Sequence, residues 1–141
     1  MSSEELRDFV RTRAGGLCEY CCLPDWLPPF EPFHLEHIIA RQHGGKSEAE
    51  NFAWACHRCN FYKGPNLSSI DPESQEIVQL FNPRRASWHS HFALRGFRLV
   101  GLTPVSRATI ALLQMNAERR VERRAELVKR GLFQKTLPKS R

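Results

Sequence analysis

The first apolar stripe of the chain has the spacing of one helical face: Leu6, Phe9 and Val10. Ser2 and Glu5 precede it in the arrangement of a capping box, in which each residue satisfies a backbone N–H at the start of a helix. Gly15 and Gly16 follow, and glycine commonly ends a helix. The pattern therefore predicts a helix over residues 3–13.

The middle of the chain has shorter apolar runs that are typical of strands and loops. Residues 17–33 hold four prolines and three cysteines, which favours a loop. Short apolar runs predict strands at 33–39, 77–81 and 97–100, with a return strand or turn at 51–55. A further helix is predicted to begin at Cys56 and to end at Gly64-Pro65.

Two helices are predicted near the end of the chain. Thr103 and Pro104 combine an N-cap hydroxyl with a proline at the first helical position. Asn116 is predicted to cap the last helix, which ends at Gly131. No internal repeat divides the chain. We expect one domain over residues 1–133, with its core at 18–64 and an extension at 65–133, and a flexible tail at 134–141.

Composition narrows the class of protein. The 141 residues are 41% hydrophobic and 26% charged, which excludes a wholly disordered or collagen-like chain. The net charge of +6 is unevenly distributed: residues 1–82 carry 7 basic and 12 acidic side chains, whereas residues 83–141 carry 14 and 3. A basic half indicates a polyanionic partner. A solvated basic helix is the alternative.

The sequence contains no membrane signal. Its longest apolar run, residues 52–56, is far shorter than the roughly 20 residues that span a bilayer. The acidic N-terminus has no apolar segment of the kind found in signal peptides. A cytoplasmic location and no membrane partner are therefore expected, and cysteines in that compartment are more often metal ligands or nucleophiles than disulfides.

Four cysteines form two CxxC pairs with 34 residues between them: Cys18, Cys21, Cys56 and Cys59. Two such turns supply the four thiolates of a structural zinc site. A redox-active CxxC and chance burial of thiols are the alternatives. Cys22 is interpreted as a packed bystander, and His57 as a spacer in the second pair.

Residues that could bind a divalent cation or take a proton from water lie between the two CxxC pairs and just after the second pair. Glu36 and Asn60 have the oxygen ligands that Mg²⁺ or Mn²⁺ prefers. His37 has an imidazole that can take a proton from water. Each residue alone has an ordinary explanation as a surface or packing residue.

Together these residues resemble the HNH endonuclease family, in the order and spacing of its motif: Cys18-x-x-Cys21, Glu36-His37-Ile38, Gly44-Gly45, Asn51, Cys56-x-x-Cys59-Asn60 and Lys63-Gly64. The later part of the chain is similar to a stand-alone bacterial subgroup of that family, in these segments: Asp71-Pro72, Leu80-Phe81-Asn82-Pro83-Arg84, Trp88-x-x-His91-Phe92, Gly101-Leu102-Thr103 and Arg107-Ala108-Thr109.

The resemblance implies an α+β fold with a ββα-metal (HNH, or His-Me finger) core, a four-cysteine zinc site and flanking helices. It implies that Glu36 and Asn60 hold one catalytic Mg²⁺ or Mn²⁺ ion, that His37 is the general base, and that Asn51 braces the loop and orients His37. The family more often has Asp at the position of Glu36. His34 is open to three interpretations: an extra ligand, a phosphate contact, or a packed side chain.

The activity implied is metal-dependent hydrolysis of DNA, most readily double-stranded, by a one-metal mechanism. Eight basic residues are the candidates for DNA binding: Arg41, Lys46, Arg58, Lys63, Arg119, Arg120, Arg123 and Arg124. Interleaved glutamates make a salt-bridged helix face the alternative for the last four. A non-catalytic zinc-stabilised nucleic-acid-binding module, a nuclease subunit targeted by a partner protein, and a homodimer all remain open.

Overall fold

The computed structural model describes residues 1–133, so the tail predicted at 134–141 lies outside the described residues. The α-helices and strands of the described part, in chain order, are α1 (Ser3–Arg13), β1 (His34–His37), β2 (Phe52–Ala55), α2 (His57–Lys63), β3 (Ser68–Ile70), β4 (Ile77–Gln79), α3 (Trp88–His91), β5 (Phe92–Arg95), β6 (Arg98–Gly101), α4 (Pro104–Leu112) and α5 (Glu118–Lys129). The fold therefore mixes helices with short strands.

Helix α1 has the predicted bounds and the predicted cap. The Ser2 hydroxyl accepts a hydrogen bond from the Glu5 amide at 3.1 Å, and the Glu5 carboxylate accepts one from the Ser2 amide at 3.0 Å. Arg13, in the last turn, donates to the Phe52 carbonyl at 2.8 Å. This contact ties α1 to the hairpin that holds the candidate site.

Strands β1 and β2 form an antiparallel hairpin, in which His34 is opposite Ala55 and His37 is opposite Phe52. The predicted strand at 33–39 is shortened to four residues, and the predicted return strand or turn is β2. Helix α2 follows at once, with Cys56 as its N-cap. At Gly45 a Cβ would lie 1.7 Å from the Ile39 carbonyl oxygen, so the connection between the strands requires glycine there.

The second half of the described chain holds two further antiparallel hairpins, β3–β4 and β5–β6. The runs at 77–81 and 97–100 correctly predicted β4 and β6. Their partners β3 and β5 and the short helix α3 were not predicted.

Helices α4 and α5 complete the described fold. Thr103 caps α4 as predicted, but the N-cap of α5 is Ala117 rather than Asn116. The Asn116 side chain instead donates to the Leu99 carbonyl at 2.8 Å and accepts from the Leu99 amide at 2.9 Å. Asn116 therefore joins β6 to the turn before α5 instead of starting a helix.

One hydrophobic core extends from the N-terminal helix to the last described residue, with fully buried side chains at Val10, Phe92, Leu113, Leu127 and Phe133. The indole N–H of Trp88 donates to the Tyr20 carbonyl at 2.7 Å, which links the second half of the chain to the first CxxC pair. Among residues 1–133, no helix has both the length and the apolar character needed to cross a bilayer.

Candidate active site and four-cysteine cluster

The four cysteines of the CxxC pairs come together as predicted. Their sulfur atoms all lie within 4.8 Å of one another, and all four residues are buried: Cys18, Cys21, Cys56 and Cys59. The Cys21 and Cys56 sulfurs are 3.7 Å apart. Zinc–sulfur bonds of about 2.3 Å in a tetrahedron separate the sulfurs by about 3.8 Å, so the cluster fits zinc.

Each CxxC turn directs a backbone N–H toward a sulfur. The Cys21 amide donates to Cys18 Sγ at 3.5 Å, and the Cys59 amide donates to Cys56 Sγ at 3.4 Å. Because four thiolates fill a tetrahedral shell, a zinc ion held here is structural and has no open position for substrate. Cys22 is buried outside the cluster, in agreement with its interpretation as a bystander.

Arg120 supplies positive charge to this cluster. Its guanidinium donates to Cys59 Sγ at 2.9 Å and lies 3.7 Å from Cys56 Sγ. Burial acts to lower the pKa of Arg120, but the thiolates of Cys59, Cys21 and Cys56 outweigh burial and raise it. Four thiolates and one Zn²⁺ have a net charge of −2, and the Arg120 guanidinium offsets part of that charge.

The spacer residues of the first CxxC pair contact the hairpin. The Tyr20 hydroxyl donates to Glu36 Oε1 at 2.6 Å, and the Glu19 carboxylate accepts from the Trp54 amide at 2.7 Å and from Arg84. The zinc turn therefore positions strands β1 and β2 directly. Tyr20 was not identified from sequence, because a spacer in CxxC shows no sign of its distant partner.

Glu36 is in a buried ion pair. Its exposed fraction is 3%, and its second oxygen, Oε2, accepts from Lys63 Nζ at 2.8 Å. Lys63 also donates to the backbone carbonyls of His37, at 3.3 Å, and Ile38, at 2.9 Å. Burial raises the pKa of Glu36, although the Lys63 charge and the hydrogen bonds from Lys63 and Tyr20 act in the opposite direction.

This arrangement does not fit the role expected for Glu36 as a ligand of an open catalytic ion. Both carboxylate oxygens are engaged, and an ammonium group lies where a cation would have to bind. Lys63 is 2% exposed, so the expectation that it grips DNA is corrected: it is internal. Asn60 is half-buried on α2, and among residues 1–133 the structure shows no hydrogen bond to its side chain.

His37 lies at the end of β1 with one ring nitrogen engaged. Its Nε2 is 2.9 Å from the Ser47 hydroxyl, and its ring packs edge-on against Phe52 at a centroid distance of 4.7 Å. Burial lowers the pKa of His37, and the nearby charges of Arg41 and Lys63 add to this effect. His37 is therefore held in one orientation and favours the neutral form that accepts a proton. Ser47 was not identified from sequence.

Asn51 clamps the loop that follows His37. Its side chain accepts from the Ile39 amide and donates to the Ile39 and Lys46 carbonyls, each at 2.9 Å. The Ile38 amide also donates to the Asn51 carbonyl at 2.9 Å. The structure thus brings Asn51 to the loop that the resemblance implied it would brace.

His34 contacts a residue that was interpreted as a spacer. Its Nε2 lies 3.2 Å from Nδ1 of His57, the first residue of α2. The rings are tilted by 37°, with centroids 5.5 Å apart. Burial, followed by the charges of His57 and Arg7, lowers the pKa of His34.

The basic residues predicted for DNA separate into two groups. Three are exposed near the hairpin, namely Arg41, Lys46 and Arg58, and Arg119 is exposed on α5. The other arginines of α5 are engaged internally: Arg124 is buried against the Met115 and Phe97 carbonyls, and Arg123 donates to the Leu27 carbonyl. Together with Arg120, these contacts correct the expectation that the whole series faces DNA.

The salt-bridged alternative for α5 is not observed either. The one ion pair of Arg123 in the described residues joins it to Glu31, at 3.8 Å, rather than to a glutamate of its own helix. Backbone carbonyls and thiolates are therefore the main partners of the inward-facing arginines of α5.

Comparison with known proteins gave one match. The family model described as HNH endonuclease covers residues 18–65, which are 48 of the 141 residues. The comparison with curated proteins found no match, and the comparison with solved structures found none either. The matched segment contains both CxxC pairs, the hairpin and α2, so the resemblance is confirmed there: residues 18–65 match the HNH endonuclease model.

Proposed function

We propose that this protein is an endonuclease that hydrolyses phosphodiester bonds in DNA, with His37 as the general base. The observation that carries the proposal is the geometry of His37 within the matched HNH segment. Ser47 holds Nε2, Asn51 fixes the following loop, and the lowered pKa of His37 favours the neutral imidazole. Within the described residues, Nδ1 has no protein partner and is available to a water molecule.

In this proposal β1, β2 and α2 are the ββα core of the family, and the zinc turn supports it. The first CxxC pair holds Tyr20 against Glu36, and the second leads into α2. A general base that takes a proton from the attacking water contributes about 10²–10⁴-fold to a rate. Three exposed cations, Arg41, Lys46 and Arg58, would bind the flanking phosphates.

The Mg²⁺ or Mn²⁺ ion that the family implies would supply Lewis-acid stabilisation of the phosphate. The Glu36 carboxylate does not offer it a free oxygen, so we assign no step to that ion. The Glu36–Lys63 pair is also the observation that favours the alternative function, a zinc-stabilised nucleic-acid-binding module that does not cleave, which a partner protein could use as a subunit.

Incubation of the full chain with supercoiled plasmid tests the proposal. We expect nicked or linear product with Mg²⁺ or Mn²⁺ present. EDTA must be added only briefly, with zinc content and circular dichroism recorded, because loss of structural zinc would unfold the protein. DNA binding without cleavage under any divalent ion would favour the non-catalytic module, and absence of both would contradict the proposal.

His37→Ala and His43→Ala are the matched pair for this assay. Both change one imidazole, at the end of β1 and in the connection to β2 respectively, but His43 is exposed and lies outside the His37–Ser47–Asn51 contacts. Loss of cleavage in the first variant and retention in the second would assign the activity to this protein rather than to a contaminating nuclease.

A further inference from the structure

A cavity lies between α2, α5 and the proline-rich loop that follows the first CxxC pair. Its volume is about 360 Å³, within the range of roughly 300–1,000 Å³ in which proteins bind small molecules. The wall is mainly apolar and includes these side chains: Leu23, Leu27, Pro29, Phe33, Tyr62 and Leu127. The cavity is therefore large enough and apolar enough to hold a ligand with a hydrophobic ring.

The cavity is separate from the site of the proposed general base. His37, Ser47 and Asn51 do not line it. It lies beside the four-cysteine cluster, because Cys21 and Cys56 form part of its wall. A zinc ion would occupy the thiolates of those cysteines, so a ligand in the cavity needs a polar partner from another part of the wall.

Arg123 supplies that partner, because its donors are loosely held. Its guanidinium lies 3.3 Å from the Leu27 carbonyl and 3.4 Å from the Pro29 carbonyl, whereas N–H···O bonds are most often about 2.9–3.0 Å long. Its Nε is buried and has no hydrogen-bond partner within the described residues. Arg124, by contrast, donates to its two carbonyls at 2.7 and 2.9 Å. Arg123 therefore retains donor capacity that its protein partners do not use fully.

The carboxylates around the cavity leave this capacity in place. Asp25 is already paired with an arginine of α1 at 2.6 Å. Glu31 lies 3.8 Å from Arg123, which is beyond hydrogen-bond distance. Glu118 and Glu122 are exposed on α5. A carboxylate or phosphate that entered the cavity would therefore meet a guanidinium with donors to spare.

From this geometry we infer that the cavity binds a small organic anion, with an aromatic ring against the apolar wall and the anionic group at Arg123. A planar guanidinium matches both carboxylate and phosphate, so an aromatic carboxylate and a nucleotide share the required chemistry. Arg58 and Arg119 also line the cavity and add positive charge. Filling by water alone is the competing explanation. The inference does not rest on the proposed nuclease function.

Calorimetric titration of the zinc-loaded full chain with a matched pair of ligands tests the inference. Naphthoate and naphthalene methanol have the same ring system, but only naphthoate is charged at neutral pH. We expect one naphthoate bound per chain, about 10-fold more tightly than the alcohol, because hydrogen bonds to charged groups are roughly twice as strong as neutral ones. This comparison needs no variant, so it does not depend on whether any substitution folds.

Two pairs of variants locate the ligand. Arg123→Gln should lose the preference for naphthoate and keep the affinity for the alcohol, whereas Arg130→Gln, exposed and outside the cavity, should keep both. Ala117→Phe places a ring in the cavity wall and should weaken both ligands by at least about 10-fold, whereas Ala111→Phe, exposed on α4, should not. Zinc content and circular dichroism must be unchanged in each variant.

Competition with thymidine monophosphate distinguishes the two sources of the anion. Displacement of naphthoate by this nucleotide would support a nucleotide as the ligand. Naphthoate that binds and is not displaced would support an aromatic carboxylate.

Three results would overturn the inference. Absence of naphthoate binding would leave the cavity to water, and equal affinity for the two ligands would show that no anion is recognised. Retention of the preference in folded Arg123→Gln, or of binding in folded Ala117→Phe, would place the ligand elsewhere. None of these measurements involves DNA cleavage, so the ligand site and the nuclease can fail independently.

Discussion

At the scale of single residues, His37 is the group whose removal should separate chemistry from folding. His37→Ala removes a half-buried ring whose polar contact is with Ser47, so zinc content and fold should persist. Cleavage should fall by about 10²–10⁴-fold, the usual contribution of a general base. Initial rates of plasmid nicking for the wild type, His37→Ala and Ser47→Ala measure this, and Ser47→Ala should lose less because the base itself remains.

The pH dependence of the same assay follows from the direction of the pKa shift. A general base works when deprotonated, and burial with two nearby cations lowers the pKa of His37. The acid limb of the rate should therefore have its midpoint below about 6.5, the ordinary histidine value, with a plateau through neutral pH. A midpoint above that value would indicate that His37 is not the titrating base.

The buried pair of Glu36 and Lys63 should affect stability rather than DNA affinity. Lys63→Met leaves a buried carboxylate without its counter-charge, and breaking a buried pair in this way costs about 3–5 kcal/mol. Urea unfolding in excess zinc measures the change. Lys46→Met, at an exposed site in the same segment, should stay within about 0.5 kcal/mol of the wild type.

The double variant Glu36→Gln with Lys63→Met checks the cause of that loss. Replacing both partners removes the unpaired charge, so part of the lost free energy of unfolding should return. A single Lys63→Met variant as stable as the wild type, but with weakened DNA binding, would restore the sequence-based prediction that Lys63 contacts phosphates.

Single residues differ in how far sequence could predict them. Asn51 and the cysteines depend on local spacing, so a motif was enough to place them. The partners of Lys63 come from a strand 25–27 residues away, and no spacing rule distinguishes a lysine that will be buried from one that will grip DNA. Ser47 and Tyr20 were missed for the same reason.

At the scale of elements, the contact between α5 and the zinc turns is the main feature that the sequence did not predict. Arg120 bridges Cys59 Sγ and the Leu113 carbonyl, which it reaches at 2.5 Å. Arg120→Gln should weaken zinc retention by about 10–100-fold, as loss of groups that support metal ligands does. Competition with a chelator measures it, and Arg119→Gln is the matched control because Arg119 is exposed on the same helix.

Equal zinc retention in the two variants would show that the thiolates need no charge from α5. Reduced retention in Arg120→Gln alone would explain why this helix belongs to the core. It would also assign a structural role to an arginine that the sequence places in a basic series.

Elements with strong local signals were predictable, and elements made by tertiary contact were not. The capping box before α1 and the Thr103-Pro104 start of α4 satisfy backbone groups within the same turn. Strands β3 and β5, which pair with β4 and β6, were not predicted. Asn116 has the chemistry of a helix cap, but its amide is used by the Leu99 backbone, a partner 17 residues away.

At the scale of the whole molecule, part of the positive charge of the C-terminal half is used inside the protein. Arg107 pairs with Asp71 at 2.8 Å, Arg84 pairs with Glu19, and three arginines of α5 bind carbonyls or thiolates. The net charge counted for each half of the sequence therefore overestimated the positive surface that is exposed to nucleic acid. The exposed cations nearest to His37 in the chain belong instead to the acidic half: Arg41, Lys46 and Arg58.

DNA binding should therefore depend on the hairpin side of the molecule. The triple variant Arg41→Gln, Lys46→Gln, Arg58→Gln should reduce the slope of log affinity against log salt by up to about 2.7, because each phosphate that a cation neutralises adds about 0.9 to that slope. Arg95→Gln with Arg98→Gln removes two exposed charges from the β5–β6 hairpin and should leave the slope nearly unchanged. Fluorescence anisotropy with a short duplex, titrated from low to moderate salt, measures both. If the second variant flattens the slope and the triple variant does not, DNA lies across the β5–β6 hairpin, and His37 is not positioned to cut it.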